Sequence, residues 1–418
     1  MICADSTVDN PRVNSEKRMS ITKMTAEYED WLRSVTSLNE SELNAKHGKM
    51  ACSRIAFLRA TFYRWAHSFP KRCPELCKAL RVLGVGDLHI ENFGTWRDAE
   101  GRLSWGVNDF DEACYLPYTN DLVRLATSAY FALEDASSPL SLDFKEACQA
   151  IQEGYLAGLE EPRPFVLAED HGWLRNIVFR KLVGDDDEAK HKEDEFRKFH
   201  KKYRALDEIE GAVPSDARMA LNSCFPQPTP DYRIGRREAG LGSLGRQRFT
   251  AVASDWQGGI IVREAKALAP SVWLWANQDR DEAYASALSG GSIYYQAITN
   301  DASRSADPWL KIVDSWVVRR LGPDSFKVEI KDLELKASKE EELTRKLLEA
   351  MGKEIANIHS PSIDRSNDVL EHVKGLSRNR TSSKWLFDGA KTMMEQTTED
   401  FRAWRDRGYQ CPNDEKDS

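Results

Sequence analysis

The chain has 418 residues, with 67 acidic against 59 basic side chains and a formal net charge of −8. At roughly 100–200 residues per domain that length suggests two or three domains, and the acidic balance argues against a general nucleic-acid binder, which carries a basic face. Apolar residues make up 41 % of the chain, enough for a sizeable core, and no run approaches the about 18 apolar residues of a membrane span.

Residues 1–23 are polar and aperiodic and read as a disordered tail without the apolar core of a secretion signal. Eight cysteines are scattered without a paired framework, and no second pair joins Cys73 and Cys77 to complete a zinc site. A reduced, cytoplasmic protein is expected. Residues 24–67 carry helical stripes through Leu32, Ile55, Leu58, Phe62 and Trp65. Residues 81–112 change to short β-type runs. Leu122, Leu125, Ala129 and Leu133 then keep helical spacing, as do Phe144, Cys148, Ile151 and Tyr155. A mixed charge run from Gly184 to Lys202 reads as a solvated face beside a loop. Pro214, Pro226, Pro228 and Pro230 mark a linker, and residues 232–266 and 309–331 are rich in β-branched and aromatic side chains. Ser338 and Glu341 form a capping box for a last helix, whose face repeats Leu343, Leu347, Met351, Ile355 and Ile358.

Two segments carry chemistry. The first is GDLHIENFG, Gly86 to Gly94, followed by NDFDE, Asn108 to Glu112. Val82, Leu83 and Val85 lead into Asp87 from a buried strand. The stretch from Asn92 to Phe110 reads as a hairpin turning near Ala99-Glu100-Gly101, and a hairpin brings its ends, Asn92 and Asp109, side by side. An amide oxygen and a carboxylate so placed suit Mg²⁺ that also holds phosphate oxygens, and Asp87 is placed to orient or deprotonate an attacking hydroxyl. A competing reading takes Asp87-Leu88-His89 as the opening of a two-metal phosphoesterase pattern, although the later Gly-Asp-x-x-Asp and Gly-Asn-His are absent.

The second segment is Arg237 to Phe249, containing Gly240-x-Gly242-Ser243-x-Gly245. A strand, a turn at Trp256-Gln257-Gly258-Gly259 and a second strand come next, so the loop suits the phosphate-covering hairpin of protein kinases rather than a dinucleotide fingerprint. A cation on a neighbouring strand should face the phosphates. Arg263 and Lys266 are the candidates; three positions apart, they point to opposite faces, and only one can serve. Glu282, in the next helix, is a candidate partner for that cation.

The order of the segments is unusual, because a kinase places its glycine loop before its catalytic loop. Here MGKEIANIHS, Met351 to Ser360, resembles the helix that precedes the catalytic loop in aminoglycoside-phosphotransferase-like kinases. Joining residue 360 back to residue 81 restores kinase order, as a circular permutation does. The blocks FLRATFYRW, GDLHIENFGTW, WGVNDFDEA, DLVRLATSA, the glycine loop, VREAK and MGKEIANIHS together resemble the bacterial domain-of-unknown-function 2252 family over most of residues 50–360. That resemblance implies an α+β, two-lobed, protein-kinase-like fold, circularly permuted. Residues 24–230 would form N-terminal helices and a helical lobe, 231–335 a β-rich nucleotide lobe, and 336–418 the returning helices.

By the same resemblance Asp87 is the catalytic aspartate, Asn92 the metal-binding asparagine and Asp109 the metal aspartate, with Asp111 where small-molecule kinases depart from Asp-Phe-Gly. The family has Lys in its Lys-Glu-Ala, whereas this chain has Arg263-Glu264-Ala265, so Lys266 substitutes by a local shift or nucleotide handling has changed. The implied activity is ATP- and Mg²⁺-dependent phosphoryl transfer to a small-molecule acceptor, without nucleic-acid or membrane partners. The rivals are a nucleotide-binding regulator without turnover and a metal-dependent phosphoesterase; transfer of a nucleotidyl group stays open.

Overall fold

The structure is a computed structural model that describes residues 19–167, 171–179, 197–209, 213–287, 291–325, 327–333, 335, 338–362, 366–376 and 383–412. Four helices open it: α1 (Ile21–Val35), α2 (Glu40–Met50), α3 (Arg54–Ala60) and α4 (Phe62–Arg72). Helix α1 begins inside the expected tail. Ser20 caps it by accepting from the Lys23 N–H, and Ile21 and Met24 are buried, so apolar anchoring overrides the polar look of the segment. Ser53 caps α3 in the same way.

Strands β1 (Arg81–Gly84) and β4 (Cys114–Pro117) pair antiparallel and frame a hairpin of β2 (Phe93–Arg97) and β3 (Leu103–Val107). Its register, Phe93 opposite Val107 and Arg97 opposite Leu103, is that of the expected hairpin. Two buried helices come next, α5 (Tyr118–Leu133) and α6 (Phe144–Glu160), and Phe165–Val166, β5, adds a third strand to the hairpin. Residues 184–196 of the charge run lie outside the described residues; 197–204 are helical.

The five-stranded sheet is antiparallel throughout, in the order β6 (Arg233–Arg236), β7 (Arg248–Trp256), β8 (Gly259–Ala267), β10 (Trp316–Leu321), β9 (Lys311–Val313). Alternation gives it two different faces. One is apolar, with Phe249, Ala251, Ala265 and Val318 packed on helix Ser215–Ser223. The other carries Arg248, Glu264, Lys266 and Arg319.

The long helix α7 (Glu340–His359) buries Leu347, Met351, Ile355 and Ile358 as expected, but Ser338 does not cap it. Lys339 holds the cap position without a side-chain hydrogen bond, and Glu340, Glu341 and Glu342 meet the helix dipole instead. Helix α7 crosses α6 so closely that a Cβ on Gly154 would lie 1.9 Å from the Glu349 carbonyl oxygen. Helix α8 (Lys384–Arg405) closes the helical core, with Asp400 bonded to the buried Arg64. The architecture is mixed α+β with several small sheets. Among the described residues no helix is long and apolar enough to cross a membrane. One cysteine expectation is corrected: Cys52 and Cys411, 359 positions apart, form a disulfide, which no local spacing announces.

Candidate functional site

Residue by residue, the loop after β1 is held from below by α5. Asp121, fully buried, accepts from the Val85 and Gly86 N–H groups at 2.7 and 3.0 Å, and Asn120 donates to the Gly86 carbonyl. Ser128 accepts from the Ile90 N–H at 2.9 Å. The buried Arg124 reaches Asp87 through Nε at 3.0 Å and through Nη2. These groups fix a loop of otherwise unpaired backbone in one shape. Burial raises the Asp87 carboxyl above its ordinary range, against the pull of Arg124.

Asn92 donates Nδ2 to the Asp87 carbonyl at 2.7 Å, which leaves its amide oxygen as the atom for a cation. The Asn108 N–H donates to the Asn92 carbonyl at 3.0 Å, so the hairpin does close its ends beside one another. Asp109 is one-third exposed and Asp111 is buried. Burial alone would raise the Asp109 carboxyl, but the Lys266 and Lys327 ammonium groups outweigh it and hold the group well below the carboxylate range.

Lys266 meets both aspartates, 3.0 Å from Asp109 and 2.6 Å from Asp111. Arg263 lies on the opposite face of β8. It donates to the Cys224 carbonyl at 2.8 Å and stacks on Phe225 and Trp309 over helix Ser215–Ser223, so it cannot serve as the phosphate cation. Glu282 is exposed on helix Glu282–Ala287 and is not the lysine's partner, because the two aspartates already hold it.

Gly240, Gly242 and Ser243 of the glycine loop line the same recess as Asp87, Asn92, Asp109 and Asp111. Gly242 rests on the loop that carries Asp87, where an added Cβ would lie 3.3 Å from Asp87 Oδ2. Gly245 is not in the recess: at φ +98° it packs on Leu43, and its carbonyl accepts from the Asn39 N–H at 2.7 Å. It anchors the loop on α2 rather than facing a ligand.

His89 is buried, with Nδ1 accepting from the Glu91 N–H, and burial holds its pKa well below the usual value. It is a neutral loop histidine. Among the described residues no three His, Cys, Asp or Glu side chains make a metal cluster. The donor set Asn92, Asp109 and Asp111 fits the other mode, in which Mg²⁺ takes one or two carboxylates and completes its shell with water and substrate phosphate.

Sequence reasoning gave no role to Arg124 and Asp121, although both stand in the DLVRLATSA block that carries the resemblance. It also missed Glu112, which burial pushes up to about 8, and Lys327, which lines the recess and which burial beside Arg59 lowers to about 8.

No curated protein and no solved structure matches the chain. Residues 38–212, from just before α2 past the hairpin of β2 and β3, match the model of the family described as an uncharacterized protein conserved in bacteria, DUF2252, and that match supports the family to which the sequence blocks point.

Proposed function

We propose that the protein is an ATP- and Mg²⁺-dependent phosphotransferase of kinase-like construction, acting in the cytoplasm on a small-molecule acceptor. The observation that carries this reading is the meeting of Lys266, on the third strand of the sheet that carries the glycine loop, with Asp109 and Asp111 at the end of the hairpin. Kinases place their phosphate lysine on the third strand and their metal aspartate opposite it. Two further observations support a circularly permuted, two-lobed fold. The glycine loop joins the first two strands of the five-stranded sheet, and His359, ending α7, bonds to Asp121 at 3.1 Å, the residue that holds Val85 and Gly86.

In this reading Asn92 and Asp109 would hold Mg²⁺, with Asp111 behind them, and the metal supplies charge neutralisation at the phosphates. Lys266 balances the two aspartates and faces the incoming phosphate. The backbone of Gly240, Gly242 and Ser243 covers the phosphates. Asp87, kept partly basic by burial, orients the acceptor hydroxyl and accepts its proton. The regulator reading drew on the missing lysine of the Lys-Glu-Ala block, and Lys266 supplies that charge.

The test is thermal shift against a nucleotide panel with and without Mg²⁺. ATP with Mg²⁺ at about a hundredfold excess over Kd should stabilise by about 3 kcal/mol, and Asp109→Ala should lose the Mg²⁺-dependent part. Wild-type ATP–Mg²⁺ binding in Asp109→Ala would remove the assignment.

A further inference from the structure

The phosphotransferase reading, on which this inference rests, leaves open which phosphorus is transferred. Charge is distributed unevenly around Asp109. On one side a cavity of about 790 Å³ extends past β10 to Gly322, Pro323 and Ser325. Among the described residues nine lysine and arginine side chains line it against three acidic ones, in a protein whose net charge is negative.

Its ceiling is built around Glu264, which is fully buried and bonds Arg248 at 2.8 Å, Arg319 at 3.0 and 2.8 Å, and Arg237. One carboxylate against three guanidiniums leaves two positive charges on a wall facing the cavity. Lys327, at its junction with the recess, makes no ion pair among the described residues. Arg304 sits between Trp96 and Phe110 with a buried Nη1 that has no hydrogen-bond partner.

The glycine-loop recess on the other side is far less positive. Asp87, Asp109, Asp111 and Glu112 line it against Arg59, Arg246 and Lys327, together with the rings of Tyr28, Phe62 and Tyr63. Arg59 is already paired with Glu91, and Arg246 with Asp111, at 3.1 Å, and with Glu112. A triphosphate seeks fixed cations and is repelled by carboxylates that no metal covers, whereas a base seeks aromatic and apolar walls.

We propose that the nucleotide binds with its β- and γ-phosphates in the arginine-lined cavity, its α-phosphate beside Asn92 and Asp109, and its nucleoside toward the glycine loop, which then covers the nucleoside in place of the phosphates that it covers in the simpler kinase arrangement. The reaction is then nucleotidyl transfer. The acceptor hydroxyl oxygen forms a bond to the α-phosphorus and the bond from that phosphorus to the α–β bridging oxygen breaks. Pyrophosphate leaves with the electron pair, and the hydroxyl proton passes to Asp87. The recess holds only about 40 Å³, so the nucleoside enters as the loop lifts from Asp87 and gives up the 2.7 Å bond from Lys46 Nζ to the Gly242 carbonyl.

Two measurements test this on the full chain. With Mg²⁺ and ATP labelled at the α- or γ-phosphorus, and with candidate acceptors or water, γ-label should appear in pyrophosphate and α-label in AMP, free or attached. ADP with inorganic phosphate overturns the orientation while leaving the phosphotransferase reading standing. In the binding arm, Arg237→Ala should weaken inorganic pyrophosphate and ATP at least tenfold and leave adenosine unchanged, with Arg237→Lys recovering part of the loss. Glu264 keeps Arg248 and Arg319 in that variant, so the sheet has its ion pairs. Undiminished pyrophosphate binding in Arg237→Ala, or equal loss of adenosine, overturns the proposal without any turnover being needed. A wild-type protein that binds no ATP with Mg²⁺ takes down the broader reading as well.

Discussion

Lys266 and Arg263 differ in what the sheet does with them. Lys266→Ala removes the charge that balances Asp109 and Asp111 and should weaken ATP–Mg²⁺ binding at least tenfold by calorimetry. Arg263→Ala should leave that affinity within twofold. It instead costs about 1–3 kcal/mol in urea denaturation, because a buried guanidinium loses two ring contacts and leaves the Cys224 carbonyl unpaired. Asp87→Asn keeps shape but removes the proton acceptor, so turnover should fall about 10²–10⁴-fold with ATP affinity nearly unchanged. Retained turnover in that variant would exclude Asp87 as the base. The alternation rule established that the two cations face opposite ways. It could not say which face looks at the phosphates, because that depends on helix Ser215–Ser223, some forty residues upstream, covering the Arg263 face. The side-by-side placement of Asn92 and Asp109 was legible because the two are joined by local chain. Asp121 and Arg124 were not, since a polar residue inside an apolar stripe reads the same whether it faces solvent or clamps a loop. The available signal was four polar groups, Asn120, Asp121, Arg124 and Ser128, on a helix too apolar to need a wet face.

Helix α7 is the element that connects the core to the hairpin of β2 and β3. Its Glu354 accepts from the Asn357 side chain at 3.2 Å and from the Val107 N–H at 3.3 Å, two residues before Asp109. Burial raises this carboxyl from 4.5 to about 7, against the pull of Arg304. A raised folded-state pKa means that the native protein holds a proton the unfolded chain releases. That stability is fully present below about 4.5 and is lost as pH rises through about 7. The Glu354→Gln variant should flatten the stability profile across that window, by up to about 3 kcal/mol at 1.36 kcal/mol per pKa unit. Parallel profiles for the two proteins would remove Glu354 as the cause. The crossing of α6 on α7 gives a second test. A methyl at Gly154 meets the Glu349 carbonyl at 1.9 Å, so Gly154→Ala must push two helix backbones apart and should cost about 1–3 kcal/mol despite the better helix propensity of alanine. The helices themselves were legible from their period; this contact was not, because a helix-interior glycine shows only as a propensity defect.

At the scale of the whole molecule helix α2, which seats the glycine loop, meets the segment that follows α8. Helix α2 seats that loop through the Asn39 N–H to the Gly245 carbonyl and Lys46 to the Gly242 carbonyl. Cys52, just after α2, is bonded to Cys411, beyond α8. The same junction is held without the disulfide by the His47 ring packed edge-on against the stacked Trp404 and Tyr409, by Trp404 Nε1 donating to the His47 carbonyl at 3.1 Å, and by Arg64 on Asp400. The cross-link closes nearly the whole chain, so it restricts the unfolded ensemble more than it shapes the folded one. Replacing both cysteines by serine should therefore cost about 2–4 kcal/mol, read as a lower urea midpoint. Reduced wild type should fall to the same midpoint, and ATP–Mg²⁺ affinity should stay within a few-fold because the ties between α2 and the glycine loop persist. An unchanged midpoint on reduction would mean that the ring stack and the buried ion pair hold the junction alone. A large loss of nucleotide affinity would instead mean that the position of α2, and with it the glycine loop, is set by the covalent link.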